Sequence, residues 1–432
     1  MRVLAAQLAE YVGQKVTVAG WVHRRRQLKS VTFVIIRDRS GLTQVVTNDS
    51  SVMEQVTEVP EETVVEITGV IMANPQAPAG VELTEPAISF LSDPAAPPPF
   101  DIYRPSVTAT LPVILDNAPV ALRHPRLRAP FEIAAASTAG FRAALERLQF
   151  TEISTPKIVR SATESGANVF AIDYFGHPAY LAQSPQFYKQ TMVGVFERVY
   201  EVGPVFRAEP HDTARHLAEY TSMDAELGFI TDHHDVMAVL TEVVTGMIEA
   251  ARAYVGSALE VLGIELPPLP IGIPEIDFAE AQELIAKNGA EDPRGEPDLA
   301  PAHERWLCEW ALREFDSQFL FVTGYPMAKR PFYTHPDPQR PEYSNSFDLL
   351  FRGQELVTGG QRLHRYSDYL AALTARNENP ANYATYLAAF EHGMPPHGGF
   401  AIGLERWVSR LMMADNIRYA TLFPRDIQRL EP

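Results

Sequence analysis

Residues 199–229 read VYEVGPVFRAEPHDTARHLAEYTSMDAELGF and decide the fold of the larger part of the chain. Two apolar runs flank a polar loop, which predicts two antiparallel strands joined by that loop. Strand spacing places Arg207 and Glu209 on one face, where the guanidinium can hold a phosphate through two hydrogen bonds. For this pair alone, a surface hairpin with ordinary ion pairs is the simpler interpretation. The loop and the return strand add Arg215, His216, Asp224 and Glu226.

Two later blocks of sequence favour a phosphate-binding site over an ordinary surface hairpin. In 348–355, DLLFRGQE, Asp348 and Glu355 stand seven positions apart at the head of a strand that ends in TGGQR. Paired carboxylates of this kind suit Mg²⁺ that bridges nucleotide phosphates. The block 398–406, GGFAIGLER, leads into a helix, and it places Arg406 where a terminal phosphate could bind. Each block is weak evidence alone, because carboxylates are usually solvated and Gly-Gly is usually a turn.

Composition sets limits on the class of protein. The chain has 432 residues, a net charge of -17 and one cysteine, Cys308. This length predicts two or three domains, and a lone cysteine predicts a buried thiol in a reducing, cytoplasmic compartment. No signal peptide or membrane span is expected. The acidic total argues against nucleic-acid binding, but residues 1–45 hold eight Lys or Arg against two acids.

The first ninety or so residues alternate apolar and polar positions. The alternation predicts about five short strands and one early helix, which suit a small OB-type barrel that binds single-stranded nucleic acid. We place this domain at 1–92 and a proline-rich, semi-rigid linker at 93–130. The remainder, 131–432, opens with a helix over 131–148 and a strand over 150–159, and carries a mostly helical insertion at about 242–315. Neither a P-loop nor a Rossmann fingerprint occurs.

Taken together and in this order, the blocks resemble the three signature motifs of class II aminoacyl-tRNA synthetases. The first motif would be the 131–148 helix with the strand that ends at Pro156, the second would be 206–209 with its loop, and the third would be 403–406. The resemblance covers essentially the whole chain. It implies an α+β fold with an N-terminal OB-fold β-barrel and a catalytic domain whose mainly antiparallel sheet is flanked by helices. It also implies a homodimer.

Details resemble the aspartyl branch of that family. The segment QSPQFYKQ at 183–190 is similar to the branch's amino-acid pocket, and TGGQRLH at 358–364 is similar to the strand whose arginine grips the substrate carboxylate. Two cationic donors, Lys189 and Arg362, suit a carboxylate and disfavour a neutral amide. A salt bridge to a neighbour is the alternative role for Lys189. The resemblance implies an aspartate site formed by Glu164, Ser184, Gln186, Lys189, Asp224 and Arg362.

The same resemblance implies an ATP site and a metal site. Arg207, Glu209 and Arg406 would be catalytic, with ATP contacts from Arg207, Glu209, Arg215, His216, Leu217, Glu355, Gly403 and Arg406. Mg²⁺ would be held by Asp348, Glu355 and Thr358. The reaction would be attack of the aspartate α-carboxylate on the α-phosphorus of ATP, followed by transfer to the 3′-hydroxyl of tRNA.

The front barrel resembles the anticodon-reading domain of this branch. Contacts to the anticodon are implied for His23, Arg26, Phe33, Gln44 and Pro78. Phe33 would stack on an unpaired base, unless it is a core residue, and Gln44 would contact the central uridine. The chain's size resembles the archaeal type, and His23 with Pro78 resembles its non-discriminating form. That form charges tRNA-Asp and tRNA-Asn and implies an amidotransferase partner.

Two other functions stay open on the sequence. A synthetase-like ligase, such as an aspartate–ammonia ligase, would share the catalytic fold but would not need the front barrel. A non-catalytic RNA-binding paralogue would tend to lose the motif arginines, whereas Arg207, Arg362 and Arg406 are all present.

Overall fold

The computed structural model describes residues 2–57, 59–160, 168–210, 213–289 and 291–431. The chain divides into two compact units, Met1–His124 and Pro125–Pro432, each with its own hydrophobic core. The first unit corresponds to the predicted barrel together with most of the predicted linker.

Alternating apolar residues build a barrel in the first unit. Its strands are β1 (Lys15–Gln27), β2 (Thr32–Arg37), β3 (Leu42–Thr47), β4 (Val64–Ala73) and β5 (Val81–Phe90). Within the described residues these five strands close in the order β1-β2-β3-β5-β4, which confirms the predicted OB-fold. Val16, Val18 and Val22 of β1 point into the core, because alternate residues of a strand face one side.

Short helices complete the first unit. A 3₁₀ helix spans Ala5–Tyr11, and α1 (Ser50–Thr57) joins β3 to β4. Helix α1 was not predicted, although the carboxylate of Asp49 accepts hydrogen bonds from Ser51 at its start. Two more helices, α2 (Leu111–Asp116) and α3 (Ala118–Ala121), lie in the segment predicted as a linker. Four of their side chains are buried (Ile114, Leu115, Ala118 and Ala121), so this part of the segment is packed rather than extended.

The second unit opens with a long helix. Helix α4 (Pro125–Arg147) begins six residues before the predicted start at residue 131. A proline at the first helical position lacks only a donor that would be unpaired there anyway, and its fixed φ suits a helix. Pro130 lies inside the same helix. The two prolines therefore misled the prediction of an irregular segment up to residue 130.

A mixed sheet forms the centre of the second unit. Its strands, in the described residues, are β6 (Thr151–Glu152), β10 (Arg198–Phe206), β11 (Glu219–Gly228), β12 (Glu275–Asp277), β13 (Phe319–Thr323), β14 (Ser346–Phe351), β15 (Gln354–Gln361) and β16 (His397–Gly403). They run in the order β12-β13-β14-β15-β16-β11-β10-β6, and only the two outermost pairings are parallel. The predicted α+β class with a mainly antiparallel sheet is confirmed.

Two predicted strands differ in the structure. The strand expected over 150–159 is split: β6 joins the main sheet, whereas β7 (Ile158–Val159) pairs with β9 (His177–Leu181), which also pairs with β8 (Ala171–Tyr174). Pro156 lies between the two pieces and cannot donate to a sheet. The 348–355 block is a hairpin rather than the head of one strand, because β14 and β15 turn at Arg352 and Gly353.

Helices cover the sheet and supply the rest of the core. They are α5 (Gln186–Phe196), α6 (His233–Tyr254), α7 (Gly256–Leu262), α8 (Phe278–Asn288), α9 (Pro301–Phe315), α10 (Tyr366–Ala375), α11 (Ala384–Glu391) and α12 (Leu404–Leu411). The interval 242–315, predicted as a mostly helical insertion, contains most of α6 together with α7, α8 and α9. Helix α6 begins at His233 and contributes buried residues to the main core, and β12 is part of the sheet.

Candidate active site

A cavity of about 390 Å³ opens on the face of the sheet formed by β10, β11, β15 and β16. Residues that the sequence scatters over more than two hundred positions meet in its wall. The predicted residues that line it are Ser184, Gln186, Lys189, Arg207, Glu209, Arg215, His216, Leu217, Asp224, Glu355, Thr358, Arg362, Gly403 and Arg406. Glu164 lies outside the described residues, and Asp348 is buried behind the wall.

Lys189 and Arg362 converge on one carboxylate at the inner end of this cavity. The Nζ atom of Lys189 lies 3.3 Å from Oε2 of Glu226, and Nε of Arg362 donates to its Oε1 at 2.9 Å. Lys189 comes from α5, whereas Arg362 follows the last residue of β15. The two cations therefore reach the same point from different elements, as a pocket for an anionic side chain requires.

Backbone and ring contacts hold both cations in place. Lys189 also donates to Asp224 at 3.0 Å and to the carbonyl of Phe400 at 3.1 Å. Arg362 donates through Nη2 to the carbonyl of Gly399 at 2.9 Å and lies over the ring of Tyr333. Both side chains are almost fully buried, so each has few alternative rotamers. The sequence left open that Lys189 only forms a salt bridge to a neighbour. In the structure Lys189 forms salt bridges to Asp224 and Glu226 and also lines the cavity.

Glu226 is the central residue to which the sequence analysis gave no role. It stands two positions after Asp224 on β11, so the strand period places both carboxylates on one face. Burial alone would raise the pKa of Glu226, but the neighbouring Arg362 and Lys189 outweigh it and the pKa is lowered. The carboxylate is therefore charged at neutral pH. The i, i+2 spacing of Asp224 and Glu226 on one strand was the sequence signal from which the position of Glu226 could have been predicted.

Polar side chains in the same wall offer further contacts. Gln186, at the start of α5, is buried and its Nε2 has no hydrogen-bond partner among the described residues. A buried amide donor that faces a cavity fits the oxygen of a ligand. Asp224 accepts from Lys189 and from the hydroxyl of Ser222, and it lines the cavity beside them.

The outer part of the cavity is cationic. Arg207 is one residue past the end of β10. Its Nη1 atom lies 4.0 Å from Oε1 of Glu209, and its guanidinium lies over the ring of Tyr220. Arg406, in the first turn of α12, donates to the carbonyl of Glu355 at 3.1 Å. Arg215 and His216 of the connecting loop line the same region. These side chains stay partly exposed, which suits groups that bind a charged ligand entering from solvent.

The predicted metal ligands separate into two layers. Glu355 and Thr358 line the cavity, and the Thr358 hydroxyl donates to Glu355 at 2.9 Å. Asp348, on the neighbouring strand, is instead paired with Arg330 at 3.0 Å. Burial raises the pKa of Asp348 to about 6, with Arg330 opposing the rise and the charge of Glu355 adding to it. Glu355 in the cavity wall, with the repelling carboxylate of Asp348 buried behind it, forms a negative site that fits a divalent cation.

The predicted anticodon residues lie on the outside of the barrel. Phe33 and Gln44 belong to the outward-facing, half-buried positions of β2 and β3, and Arg26 pairs with Phe33 across β1 and β2. Phe33 is therefore outside the hydrophobic core of this unit. The Nε2 atom of Gln44 donates to Glu82 at 2.9 Å, and Asn74 donates to the same carboxylate. Pro78 begins the short helix that leads into β5.

His23 sits at an irregularity of β1 and packs edge-on against Tyr103. Burial and the nearby Arg37 together lower the pKa of His23 to about 4, against the opposing charge of Glu62. The imidazole is therefore neutral at physiological pH. A neutral imidazole offers one donor and one acceptor, which suits contact with a base rather than with a phosphate.

Comparisons with known proteins agree with this geometry. Residues 111–427 match the family of class II tRNA synthetases (D, K and N), and residues 16–91 match the OB-fold nucleic acid binding domain. The chain belongs to the class II tRNA synthetases. The barrel is thus the family's OB-fold domain, and the cavity lies in the part of the chain that matches the class II synthetase domain.

Relatives of this synthetase family match over the full chain. The Thermus thermophilus protein named aspartate–tRNA(Asp/Asn) ligase is 45% identical, with complete coverage of both chains. The Thermococcus kodakarensis protein named aspartate–tRNA(Asp) ligase is 38% identical over 98% of this chain and 97% of its own. The asparaginyl-tRNA synthetase of Pyrococcus horikoshii, solved with asparaginyl-adenylate, superposes with a TM-score of 0.93 at 30% identity, covering all of both chains.

These matches bear on whether the backbone fold or the side chains select the amino-acid substrate of a synthetase. An asparaginyl enzyme has nearly the same backbone, so the fold alone does not distinguish acidic from amide substrates. Among the described residues, no helix is both long enough and apolar enough to cross a membrane.

Proposed function

We propose that this chain activates L-aspartate with ATP and transfers it to the 3′ end of tRNA-Asp and also of tRNA-Asn. One observation carries the choice of amino acid: Lys189 and Arg362 line the same cavity and converge on the buried carboxylate of Glu226. Two fixed cationic donors in the cavity wall favour a carboxylate over an amide, because a carboxylate offers both of them a charged acceptor, whereas the NH₂ group of an amide accepts from neither. The names of the relatives support the same choice.

The inner end of the cavity would hold the amino acid. Lys189 and Arg362 would contact the side-chain carboxylate, and Glu226 keeps both cations oriented before the substrate arrives. Asp224 would accept from the substrate ammonium, together with Glu164, which lies outside the described residues. Ser184 and Gln186 would bind the remaining oxygens, since the Gln186 amide faces the cavity with a free donor.

The outer end would hold ATP. In the first step the aspartate α-carboxylate attacks the α-phosphorus in line, a carboxyl-to-phosphorus bond forms, and pyrophosphate leaves. Arg207 would neutralise the α-phosphate, and Glu209 would orient the nucleotide. Arg215, His216 and Arg406 would hold the outer phosphates, while Leu217 and Gly403 line the base and ribose region. Catalysis here consists of positioning and charge neutralisation, and no protein nucleophile is required.

Mg²⁺ would be held by Glu355 and Thr358 at the cavity wall, with Asp348 contributing from the adjacent strand. The ion would supply charge neutralisation of the phosphates. Arg330 forms an ion pair with the buried Asp348. Its positive charge offsets the repulsion between Asp348 and Glu355 on the β14–β15 hairpin.

In the second step the 3′-hydroxyl of the terminal tRNA adenosine attacks the aspartyl carbonyl, and AMP leaves. The barrel would read the anticodon through Phe33, Gln44, Arg26, His23 and Pro78. His23 and Pro78 support acceptance of both tRNAs, as the Thermus thermophilus relative's name does for that protein. Charging of tRNA-Asn with aspartate would require an amidotransferase to complete Asn-tRNA-Asn. We further propose a cytoplasmic homodimer that is formed through α4 and β6.

The test is an activation and charging panel with the purified full chain. ATP–pyrophosphate exchange is measured with aspartate, asparagine and lysine in turn, and charging is measured on transcripts of tRNA-Asp and tRNA-Asn. We expect aspartate alone to stimulate exchange and both transcripts to be charged. Exchange with asparagine at or above the aspartate rate would overturn the amino-acid assignment. Charging of tRNA-Asp alone would overturn the dual specificity, and AMP-linked asparagine synthesis without tRNA would indicate the ligase alternative.

A further inference from the structure

A cluster of metal-ligating side chains lies at the start of α6, outside the candidate active site. Asp232, His233 and His234 each offer one ligand atom, and these three atoms lie within 4.8 Å of one another. None of the three side chains lines the active-site cavity. His233 instead lies in the walls of two other cavities, of about 630 and 540 Å³, which leave room for an ion and its water ligands.

His234 lies between two carboxylates that come from different elements. Its Nδ1 atom is 3.0 Å from Oδ1 of Asp232, and its Nε2 atom is 3.3 Å from Oε1 of Glu275 on β12. A neutral imidazole carries one proton, so it can donate to only one of these carboxylates. The other nitrogen then presents its lone pair to a carboxylate oxygen, which is unfavourable unless a cation lies between the two. That cation is either a second proton or a metal ion.

Glu275 is held where it can receive the single proton of a neutral His234. It stands on a strand of the main sheet, and its Oε1 atom also accepts a hydrogen bond from the hydroxyl of Thr323 at 3.0 Å. Metal-binding histidines almost always donate through their second nitrogen to a fixed acceptor of this kind, which sets the tautomer and the ring orientation. The lone pair of Nδ1 is then directed toward Asp232, the side on which the other ligand atoms lie.

His233 supplies a second imidazole. The centre of its ring lies 4.2 Å from that of the His234 ring. Its Nδ1 atom is buried and has no hydrogen-bond partner among the residues that the structure describes. Buried polar atoms nearly always have a partner. An imidazole with an unused nitrogen, beside a second imidazole and a carboxylate, therefore suits metal ligation.

The charges around the cluster favour a cation. The start of a helix carries a partial positive charge, which by itself disfavours a cation there. Within the described part of the chain, however, the cavity that both histidines line has one guanidinium, that of Arg340, against four carboxylates: Glu275, Asp277, Glu280 and Asp337. Arg340 pairs with Asp277 and Asp337. Glu275 and Glu280 remain, and Asp232 at the N-cap of α6 adds a further negative charge.

We propose that Asp232, His233 and His234 form a binding site for Zn²⁺, with Glu275 as the outer partner that orients His234. Two imidazole nitrogens and one carboxylate oxygen suit Zn²⁺, whereas Mg²⁺ and Ca²⁺ prefer oxygen ligands. A water molecule from the adjoining cavity completes four-coordination. Through the contact between His234 and Glu275, the ion links the start of α6 to the edge strand β12. The site goes beyond the proposed aspartate chemistry, since none of its four residues lines the active-site cavity.

The test is a calorimetric titration of the purified full chain with ZnCl₂ at neutral pH, after metals have been removed with a chelator. Excess Mg²⁺ is present throughout, so that sites built from oxygen ligands, such as the proposed one at Glu355, are already occupied. The wild-type protein is compared with His233→Asn, His234→Asn and Glu275→Gln. His392→Asn is the matched control, because it removes an exposed histidine at the end of α11.

We expect the wild-type protein to bind one Zn²⁺ per chain. His233→Asn and His234→Asn should each weaken binding about a hundredfold, because each removes a ligand. Glu275→Gln should weaken it about tenfold, as loss of an outer partner does. His392→Asn should bind like the wild-type protein. Absence of binding in the wild-type protein, or equal affinity in His234→Asn, would overturn the proposal.

Two further measurements separate ligation from effects on folding. Zn²⁺ should raise the midpoint of thermal unfolding of the wild-type protein, because an ion that binds only the folded state stabilises it. It should leave the midpoint of His234→Asn unchanged, and an equal rise in both proteins would contradict the site. X-ray absorption at the zinc edge should show imidazole nitrogens at about 2.0–2.1 Å. A shell of oxygen atoms alone would indicate an adventitious ion only and would overturn the proposal.

Discussion

Arg362 illustrates how one side chain joins recognition and stability. Its guanidinium contacts Glu226, the carbonyl of Gly399 and the ring of Tyr333, all in the buried wall of the cavity. Complete removal would leave the charge of Glu226 buried beside Lys189 alone, which typically costs several kcal/mol. A conservative replacement is therefore the more informative change.

Arg362→Lys keeps the charge but cannot reproduce the fixed fork of donors. We expect the KM for aspartate to rise about thirtyfold in the exchange assay, while the KM for ATP changes little. The control is Arg365→Lys, three residues later, where the side chain is exposed and does not line the cavity. An unchanged aspartate KM in Arg362→Lys would remove this residue from the amino-acid site.

At the scale of elements, the register of β16 against β11 positions Glu226. Gly399 pairs directly with Glu226, and a Cβ atom at residue 399 would lie 2.1 Å from Oε2 of Glu226 and 2.2 Å from the carbonyl of Ala225. No real Cβ occupies such a position, so the strands approach closely only because residue 399 is glycine.

Gly399→Ala should therefore lower the free energy of unfolding by about 3 kcal/mol, since the displaced atoms are buried backbone and a paired carboxylate. The measurement is chemical denaturation at pH 7.5. Gly256→Ala at the start of α7 is the matched control, because a Cβ there meets nothing within 4 Å. We expect that control to be neutral or slightly stabilising. Equal effects of the two substitutions would contradict the close approach.

At the scale of the whole molecule, the two units divide the proposed work. Exchange of pyrophosphate into ATP needs no tRNA, whereas charging needs the barrel. Phe33→Ala should thus weaken tRNA charging, raising the KM for tRNA about tenfold to a hundredfold through the loss of base stacking. The exchange rate should stay at the wild-type value. Phe90→Ala, which removes a half-exposed ring from β5 of the same barrel, should leave both activities unchanged. Loss of exchange in Phe33→Ala would indicate misfolding instead.

Acid sensitivity of the fold follows from His397, which is fully buried at the start of β16. Burial lowers its pKa from 6.5 to about 4, with Glu226 opposing and Arg362 adding to the shift. Because the unfolded state binds the proton first, stability is fully present above pH 6.5 and falls as the pH drops toward 4. The loss should reach about 3 kcal/mol for this group.

His397→Asn retains a donor toward the carbonyl of Pro395, which His397 contacts at 2.9 Å, but it does not titrate. We expect the fall in unfolding free energy between pH 7 and pH 4.5 to be smaller in His397→Asn than in the wild-type protein. Other buried groups titrate equally in both proteins and cancel in the difference. Identical pH slopes would show that His397 protonates as readily in the folded state as in the unfolded state.

Local patterns were sufficient for the barrel strands, whereas most of the cavity residues were predicted from the resemblance of the motifs to the class II synthetases. Apolar alternation and the spacing of charged residues are properties of neighbouring positions, and a sequence displays them directly. Local patterns gave wrong element boundaries at two places. Prolines lie inside helix α4, and the strand predicted over 150–159 is interrupted at Pro156.

Contacts between distant residues were decided by tertiary structure alone. Arg362 and Glu226 lie 136 positions apart, and Glu304 and Glu355 lie 51 apart. The energy of a buried ion pair depends on distance and desolvation, which exist only once the sheet has formed. The sequence by itself thus determined which charged groups the protein has and which family it belongs to. Folding decided that Glu226 orients two cations, because burial in the assembled sheet makes those charges interact.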